Sequence, residues 1–229
     1  MVSAIIVAAG KGIRMKGTIR KQYLDLAGLP ILVHSVMAFD SCDLIDNIFL
    51  AVPKEDIEYC LTNILSSLEL KNKVNLIPGG PRRQDSVYNG LQALKKETSI
   101  VVIHDGVRPF IQPGDLTSCI LGAKDSGACI LGIAAGDTIK RVGKSGLIEK
   151  TLARDGIWLA QTPQAFQYAL IIRAHETARQ DGYSGTDDAL LVERLGINVR
   201  IISSSRNNIK ITTREDLTVA RAMLEAKLV

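Results

Sequence analysis

Short, continuously apolar runs alternate along this chain with segments whose apolar positions recur every three to four residues. The runs 3–8 (SAIIVA), 47–52 (NIFLAV), 73–77 (KVNLI), 99–104 (SIVVIH), 128–134 and 197–203 are rich in Val and Ile. Each is predicted to be a strand buried on both faces. Between them, 30–39, 54–68, 84–96, 114–126, 165–179, 187–195 and 213–227 carry the helical period. Caps sharpen several boundaries. Pro30 opens the first helix, Thr162 with Pro163 reads as an N-cap followed by Pro at the first helical position, Thr186 caps the next helix, and Thr212 with Glu215 resembles a capping box. Strand–helix alternation of this kind predicts a mostly parallel sheet with helices on both faces.

The stretch 136–160 breaks the rhythm. Its short alternating runs flank the turn at Gly143–Gly146 and predict a β-hairpin projecting from the sheet. A polar hairpin cannot bury itself alone, so a partner subunit is the expected support. With no repeat and no linker, the 229 residues read as a single domain, 1–229, bearing one arm.

Composition removes several classes. A hydrophobic fraction of 46% and a charged fraction of 23% are those of a globular protein, not a disordered or fibrous one. Cys42, Cys60, Cys119 and Cys129 form no C-x-x-C pair and sit mostly in apolar stretches, as reduced, packed thiols would. His34, His104 and His175 are scattered, so no histidine metal cluster is expected. No apolar run has the length of a membrane span, and MVSAIIVAAG is too short and too soon broken by glycine for a secretory signal. The expected location is cytoplasmic, with no membrane partner.

Charge changes the picture through its position. The net +4 is small, yet residues 1–24 hold Lys11, Arg14, Lys16, Arg20 and Lys21 and no acid. The remaining 205 residues, with 23 basic and 24 acidic groups, are nearly neutral. A protein that coats nucleic acid spreads its excess over a face. Aromatics at 4% also leave little for stacking bases, so no nucleic-acid partner is expected.

That charge sits in Ala8-Ala9-Gly10-Lys11-Gly12-Ile13-Arg14-Met15-Lys16-Gly17, directly after the first strand. Both common phosphate-loop patterns fail here, since Met15 stands where G-x-G-x-x-G needs its last glycine and Thr18 follows Gly17 where G-x-x-x-x-G-K needs Lys. What remains is a small-residue loop with exposed N–H groups and cations, suited to a polyphosphate. A second motif, His104-Asp105-Gly106-Val107-Arg108-Pro109, puts a carboxylate at a strand end, where open parallel sheets form their ligand crevice and where Mg²⁺ would find an oxygen ligand. A third, Gly79-Gly80-Pro81-Arg82-Arg83-Gln84-Asp85-Ser86, joins a strand to a helix start; a helix cap from Asp85 or Ser86 explains it as well as ligand binding does. Lys210 is a lone cation in an apolar stretch and must find an anion or reach water.

Taken in order, AAGKGIRM, KQYLDLAGLPIL, GGPRRQDSVYNGL, HDGVRPF, DTIKR, QTPQAF, TDDALLVE and NIKITTREDL resemble the 2-C-methyl-D-erythritol 4-phosphate cytidylyltransferase family of the non-mevalonate isoprenoid pathway over nearly the whole chain. The resemblance implies an α/β, Rossmann-like nucleotidyltransferase fold with a dimerising β-arm, and CTP plus methylerythritol phosphate giving the CDP-alcohol and pyrophosphate with Mg²⁺ or another divalent cation. It implies catalytic roles for Arg14, Lys21 and Lys210. CTP would be bound by Ala8, Ala9, Gly10, Gly12, Gly80, Pro81, Ser86 and Asp105, the last also placed near the metal. Arg108, Thr138, Arg154, Thr162 and Thr186 would face the polyol phosphate, with Thr138 and Arg154 acting across a homodimer.

The chain departs from the family's usual pattern in having Arg20 where Pro precedes Lys-Gln-Tyr, Gly106 and Val107 where alanines stand, and Leu-Ala-Arg-Asp in the arm. Arg20 is expected to add a flexible cation to the loop. The reaction expected is in-line attack of the acceptor phosphate on the CTP α-phosphorus, which needs positioned cations and no strong base. The other readings are a ribitol 5-phosphate cytidylyltransferase, a non-catalytic nucleotide-binding module and a small nucleic-acid-binding protein.

Overall fold

In the computed structural model, which describes residues 1–10 and 19–229, one seven-stranded sheet organises the chain. Its strands are β1 (Val2–Val7), β4 (Asn47–Val52), β5 (Val74–Pro78), β6 (Ile100–Asp105), β7 (Ala128–Ala134), β10 (Trp158–Gln167) and β11 (Arg200–Ser203), in the order β11-β7-β10-β6-β1-β4-β5. The pairs β1–β4, β1–β6, β4–β5 and β7–β11 are parallel, and β10 runs antiparallel to both neighbours. The mostly parallel α/β sheet expected from the alternation is therefore present.

The sheet separates two apolar layers. One packs α1 (Ile31–Asp40) and α4 (Pro113–Ser126) through Val33, Val36, Leu116 and Ile120. The other packs α3 (Arg83–Ala93), α5 (Tyr168–Gln180) and α6 (Asp188–Glu193) through Val87, Leu91, Ile171, Ala174 and Leu191. A third cluster holds α7 (Arg214–Glu225) against the short ribbon β2 (Asp25–Leu26)–β3 (Leu29–Pro30) by way of Leu26, Ile211 and Leu217. Ile211 N–H donates to Val107 O at 2.9 Å, which ties the segment before α7 to the end of β6 and so fixes Lys210 beside it.

Four local expectations are corrected. Thr162-Pro163 does not start a helix: it lies inside β10, and α5 begins at Tyr168. The β10–β7 register jumps between Ala160 and Gln164, so Pro163 occupies a stretch without ladder bonds, where its missing N–H costs nothing. Segment 54–68 is not one helix but a 3₁₀ turn (Lys54–Asp56), a single α turn, α2 (Ile57–Tyr59), and a widened π turn (Cys60–Leu65). Hydroxyls of Thr62 and Ser66 donate to carbonyls four residues back and compete with the backbone ladder there. Asp187, not Thr186, caps α6 by accepting from Leu190 N–H at 3.0 Å. The α7 box is Thr213 with Asp216, one residue on from Thr212 and Glu215, because Asp216 Oδ2 accepts the N–H groups of both Thr212 and Thr213.

The arm is present as β8 (Ile139–Val142) paired antiparallel with β9 (Ile148–Leu152), outside the main sheet. Leu147, Ile148 and Val142 are 71%, 63% and 52% exposed, so its apolar side chains are uncovered in one copy of the chain.

Candidate active site

The C-terminal ends of β1, β5 and β6 surround a cavity of about 240 Å³. The chain leaves β1 toward β4 on one side and comes back to β6 on the other, so the cavity sits at the switch point where open α/β sheets take their ligands. Its wall brings together Ala8, Ala9, Gly10, Lys21, Gly80, Pro81, Ser86, Asp105 and Lys210, all singled out in the sequence, and adds Gln22 and Arg83. Gly12 and Arg14 lie outside the described residues.

Backbone approach explains the glycines. A Cβ on Gly79 would stand 2.1 Å from Ala9 Cβ, and one on Gly80 would stand 2.4 Å from Asp85 Cβ. The turn before α3 therefore packs directly on the end of β1. Ser86 holds it closed: its Oγ accepts from Gly80 N–H at 3.0 Å and donates to Arg82 O at 3.2 Å. Asp85 accepts the N–H of Arg82 at 3.2 Å, which satisfies the helix start.

Asp105 is the electrostatic centre. It is 5% exposed; Oδ1 accepts from Arg83 Nε at 2.8 Å, and Oδ2 accepts from Lys210 Nζ at 2.7 Å. Burial pushes its carboxyl up, but the charges of Arg83 and Lys210 win and hold it far below the usual carboxylate range. Arg83 continues the chain of charges, donating through Nη1 to Asp188 Oδ2 at 2.7 Å, and Asp188 Oδ1 lies 3.0 Å from His175 Nε2. Burial alone would lower the guanidinium's pKa; the two carboxylates raise it above its ordinary value.

Below the cavity floor a second network sets the position of Asp105. Thr162 Oγ1 accepts from Asp105 N–H at 3.1 Å and lies 3.1 Å from His104 Nδ1, while His104 Nε2 lies 3.1 Å from Arg108 O. Arg108 O only accepts, so Nε2 carries the proton and Nδ1 accepts from the threonine. Burial lowers the His104 pKa to about 4, so the ring is neutral near pH 7. Arg108 donates to Asn208 O at 2.7 Å, and Asn208 Nδ2 returns to Thr162 O at 2.9 Å.

Thus Thr162 and Arg108 are occupied inside the protein and do not line the cavity. Thr186 is exposed beside α6; Thr138 and Arg154 are exposed on the arm, where Arg154 bonds Gly136 O. Arg20 is not a cavity cation either. It pairs with Glu55 and with Asp56 Oδ2, the latter at 2.9 Å. Sequence reasoning assigned no role to Arg83, although its spacing from Val87 and Gly90 puts an arginine on the apolar face of α3 and was the available signal.

The donor set for a divalent cation is one ionised carboxylate, Asp105. Among the described residues no three His, Cys, Asp or Glu side chains gather as a metal nest. Mg²⁺ takes one or two carboxylates plus substrate phosphates, so this set fits an ion shared with a nucleotide.

A Rossmann-like sheet whose switch-point cavity is walled by glycine backbone and cations defines a nucleotidyltransferase. The family model for 2-C-methyl-D-erythritol 4-phosphate cytidylyltransferase matches residues 2–226, and the chain belongs to that family. It is 46% identical over 226 residues to the enzyme of that name from Pelotomaculum thermopropionicum (99% of this chain, 95% of the relative) and 47% identical over 224 residues to that from Syntrophus aciditrophicus (98% and 96%). The crystal structure of 4-diphosphocytidyl-2C-methyl-D-erythritol synthase from Anaerococcus prevotii superposes with a TM-score of 0.87 at 32% identity, covering 98% of this chain and 96% of its own.

Proposed function

We propose that this chain transfers the cytidylyl group of CTP to 2-C-methyl-D-erythritol 4-phosphate and releases pyrophosphate, in the cytoplasm and as a homodimer joined through the arm. The observation that carries the chemistry is the pairing of Arg83 and Lys210 with one ionised carboxylate, Asp105, at the strand ends of a cavity that Lys21 also lines. Such a site neutralises and orients polyanions; among the described residues it offers no Ser–His pair, and a phosphate monoester needs none.

An oxygen of the acceptor phosphate attacks the α-phosphorus, the new P–O bond forms, and the bond to the β-phosphate oxygen breaks as pyrophosphate leaves. Lys21 and Lys210 hold the α-phosphate oxygens while charge shifts, together with Arg14. Lys210 must exchange Asp105 for phosphate to do so, and Arg83 keeps Asp105 ionised when it does. Asp105 would hold Mg²⁺, which neutralises phosphate charge and favours the leaving pyrophosphate. Backbone at Gly80 and Pro81 takes the cytosine edge, with Ser86 holding the turn. Thr138 and Arg154, from the arm of a second copy, and Thr186 grip the acceptor; Thr162 and Arg108 act through Asp105.

Pyrophosphate release, measured with CTP or another triphosphate against methylerythritol phosphate or ribitol 5-phosphate, tests this. Turnover is expected only for CTP with methylerythritol phosphate. Turnover confined to ribitol 5-phosphate would overturn the acceptor and keep the fold. Lys21→Ala should cut kcat by roughly a hundredfold or more with a smaller change in CTP affinity.

A further inference from the structure

We propose that Arg20, Asp56 and Tyr23 form a clasp that positions Lys21 in the cavity, so that Arg20 serves the reaction without touching substrate. The proposal rests on the reading that Lys21 acts on the triphosphate.

Residues 20–24 make a closed turn. Tyr23 N–H donates to Arg20 O at 2.9 Å and Leu24 N–H to Lys21 O at 3.2 Å. Side chains then fasten this turn in two directions. Arg20 Nε lies 2.9 Å from Asp56 Oδ2, and Tyr23 donates through its hydroxyl to the same oxygen at 3.0 Å. Tyr23 also lies 3.3 Å from Cys60 Sγ and packs edge-on against Tyr59, so both ends of the turn are fixed to the segment 54–60. On the other side Gln22, 1% exposed, donates through Nε2 to Ala8 O at 2.7 Å, at the end of β1. Lys21 sits between these anchors, lines the cavity and reaches Ile211 O at 3.4 Å.

The physical reason such a clasp matters is the nature of lysine. Its ammonium is a point charge on a flexible stem, without the bidentate fork that lets arginine orient itself on a phosphate. Where the charge acts depends on where its Cα is held, and misplacement by about 1 Å can cost a factor of about 100 in rate. Asp56 is 18% and Arg20 27% exposed, so their pair is only partly screened, whereas Glu55 at 65% contributes little. A contact of this type adds little to global stability, yet it fixes the turn that carries the catalytic cation. The two effects should therefore separate in experiment.

The test is steady-state kinetics of Arg20→Gln, Asp56→Asn, the double variant and Arg20→Lys, each with Lys21 intact and with Lys21→Ala, alongside thermal melting. Each single variant is expected to lower kcat on the order of five- to tenfold, with the KM of the acceptor phosphate unchanged. The double variant should be no worse than the worse single, and Arg20→Lys should recover part of the loss. In the Lys21→Ala background none of them should lower kcat further. Melting should move by no more than about 3 °C. If Asp56→Asn is unchanged or faster while Arg20→Gln is slow, Arg20 contacts the nucleotide itself and the clasp is wrong. Further loss in the Lys21→Ala background would also overturn it, because the effect would not pass through Lys21. Near-normal turnover of Lys21→Ala alone would instead remove the functional reading beneath it. Should Arg20→Gln fail to fold, the Asp56→Asn and Arg20→Lys pair still decides.

Discussion

Lys210 Nζ lies 2.7 Å from Asp105 Oδ2. The cation proposed to act on the α-phosphate is thus held by the carboxylate proposed to hold Mg²⁺, so the proposed chemistry requires this pair to exchange partners when a triphosphate binds. Asp105→Asn removes the charge that holds both Lys210 and Arg83. It should destabilise the protein by about 1–3 kcal/mol, since Lys210 loses its carboxylate partner and Arg83 keeps only Asp188, and lower kcat by at least about a hundredfold. The sign of the pH effect follows from the depressed carboxyl. Its contribution is complete above the unfolded value of about 3.9 and disappears only as pH falls through the lower folded value. The defect should therefore be constant from about pH 5 upward. A defect that grows toward alkaline pH would contradict the assignment.

His104 contributes to pH dependence with the same sign as Asp105 but in a higher window, because its folded pKa is also depressed. Its folded pKa of about 4 lies below the unfolded value of about 6.5, so folding favours the neutral ring. The stabilisation is present above about pH 6.5 and is lost as pH falls from there toward about 4, a change of order 3 kcal/mol. Urea unfolding at stepped pH should show this slope in the parent protein and a shallower one in His104→Gln.

Thr162→Val tests the layer under the cavity. Removing the hydroxyl strands Asp105 N–H and His104 Nδ1, a loss of about 1–3 kcal/mol. Turnover should fall with it through displacement of Asp105, while Thr162→Ser should retain most activity. Loss in Thr162→Ser with near-normal turnover in Thr162→Val would mean that the methyl, not the hydroxyl, is what the site needs.

Gly79→Ala places a methyl where Ala9 Cβ already stands 2.1 Å away. Ala9 has no flexible end that can swing aside, and Val52 O stands 3.3 Å away, so the turn must leave the end of β1. The KM for CTP is expected to rise about tenfold or more, measured by pyrophosphate release. Unchanged KM would show that the close contact does not shape the nucleotide site.

Ile148→Lys, on the exposed face of the arm, is expected to give a monomer in sedimentation and to raise the KM for the acceptor phosphate. A monomer with unaltered acceptor KM would separate the arm from the acceptor site.

Much of this was legible in the chain. The strands 47–52, 99–104 and 128–134 announced themselves because burial on both faces demands unbroken apolar runs, and the arm because its runs alternate around Gly143–Gly146. The glycine turn at 79–80, Asp105 and Lys210 were visible as motifs. Strand β10 was not, since Gln161-Thr162-Pro163-Gln164 carries the local signature of a helix start and only pairing with β6 and β7 makes it a strand. Helix caps slipped by one residue because neighbouring Thr and Asp compete, and geometry alone selects between them.

Sequence order by itself determined the alternation, the parallel sheet and the family, because these depend on periodicity and on motifs that are local. It could not tell which charge meets which. Arg20 and Lys21 are adjacent and alike in sign, and in the chain both read as phosphate cations. Folding brings Glu55 and Asp56 to Arg20, and turns Lys21 into the cavity beside Lys210. Coulomb attraction acts over a few ångströms whatever the separation along the chain, so which of the two cations meets acids and which lines the cavity was decided only by tertiary structure.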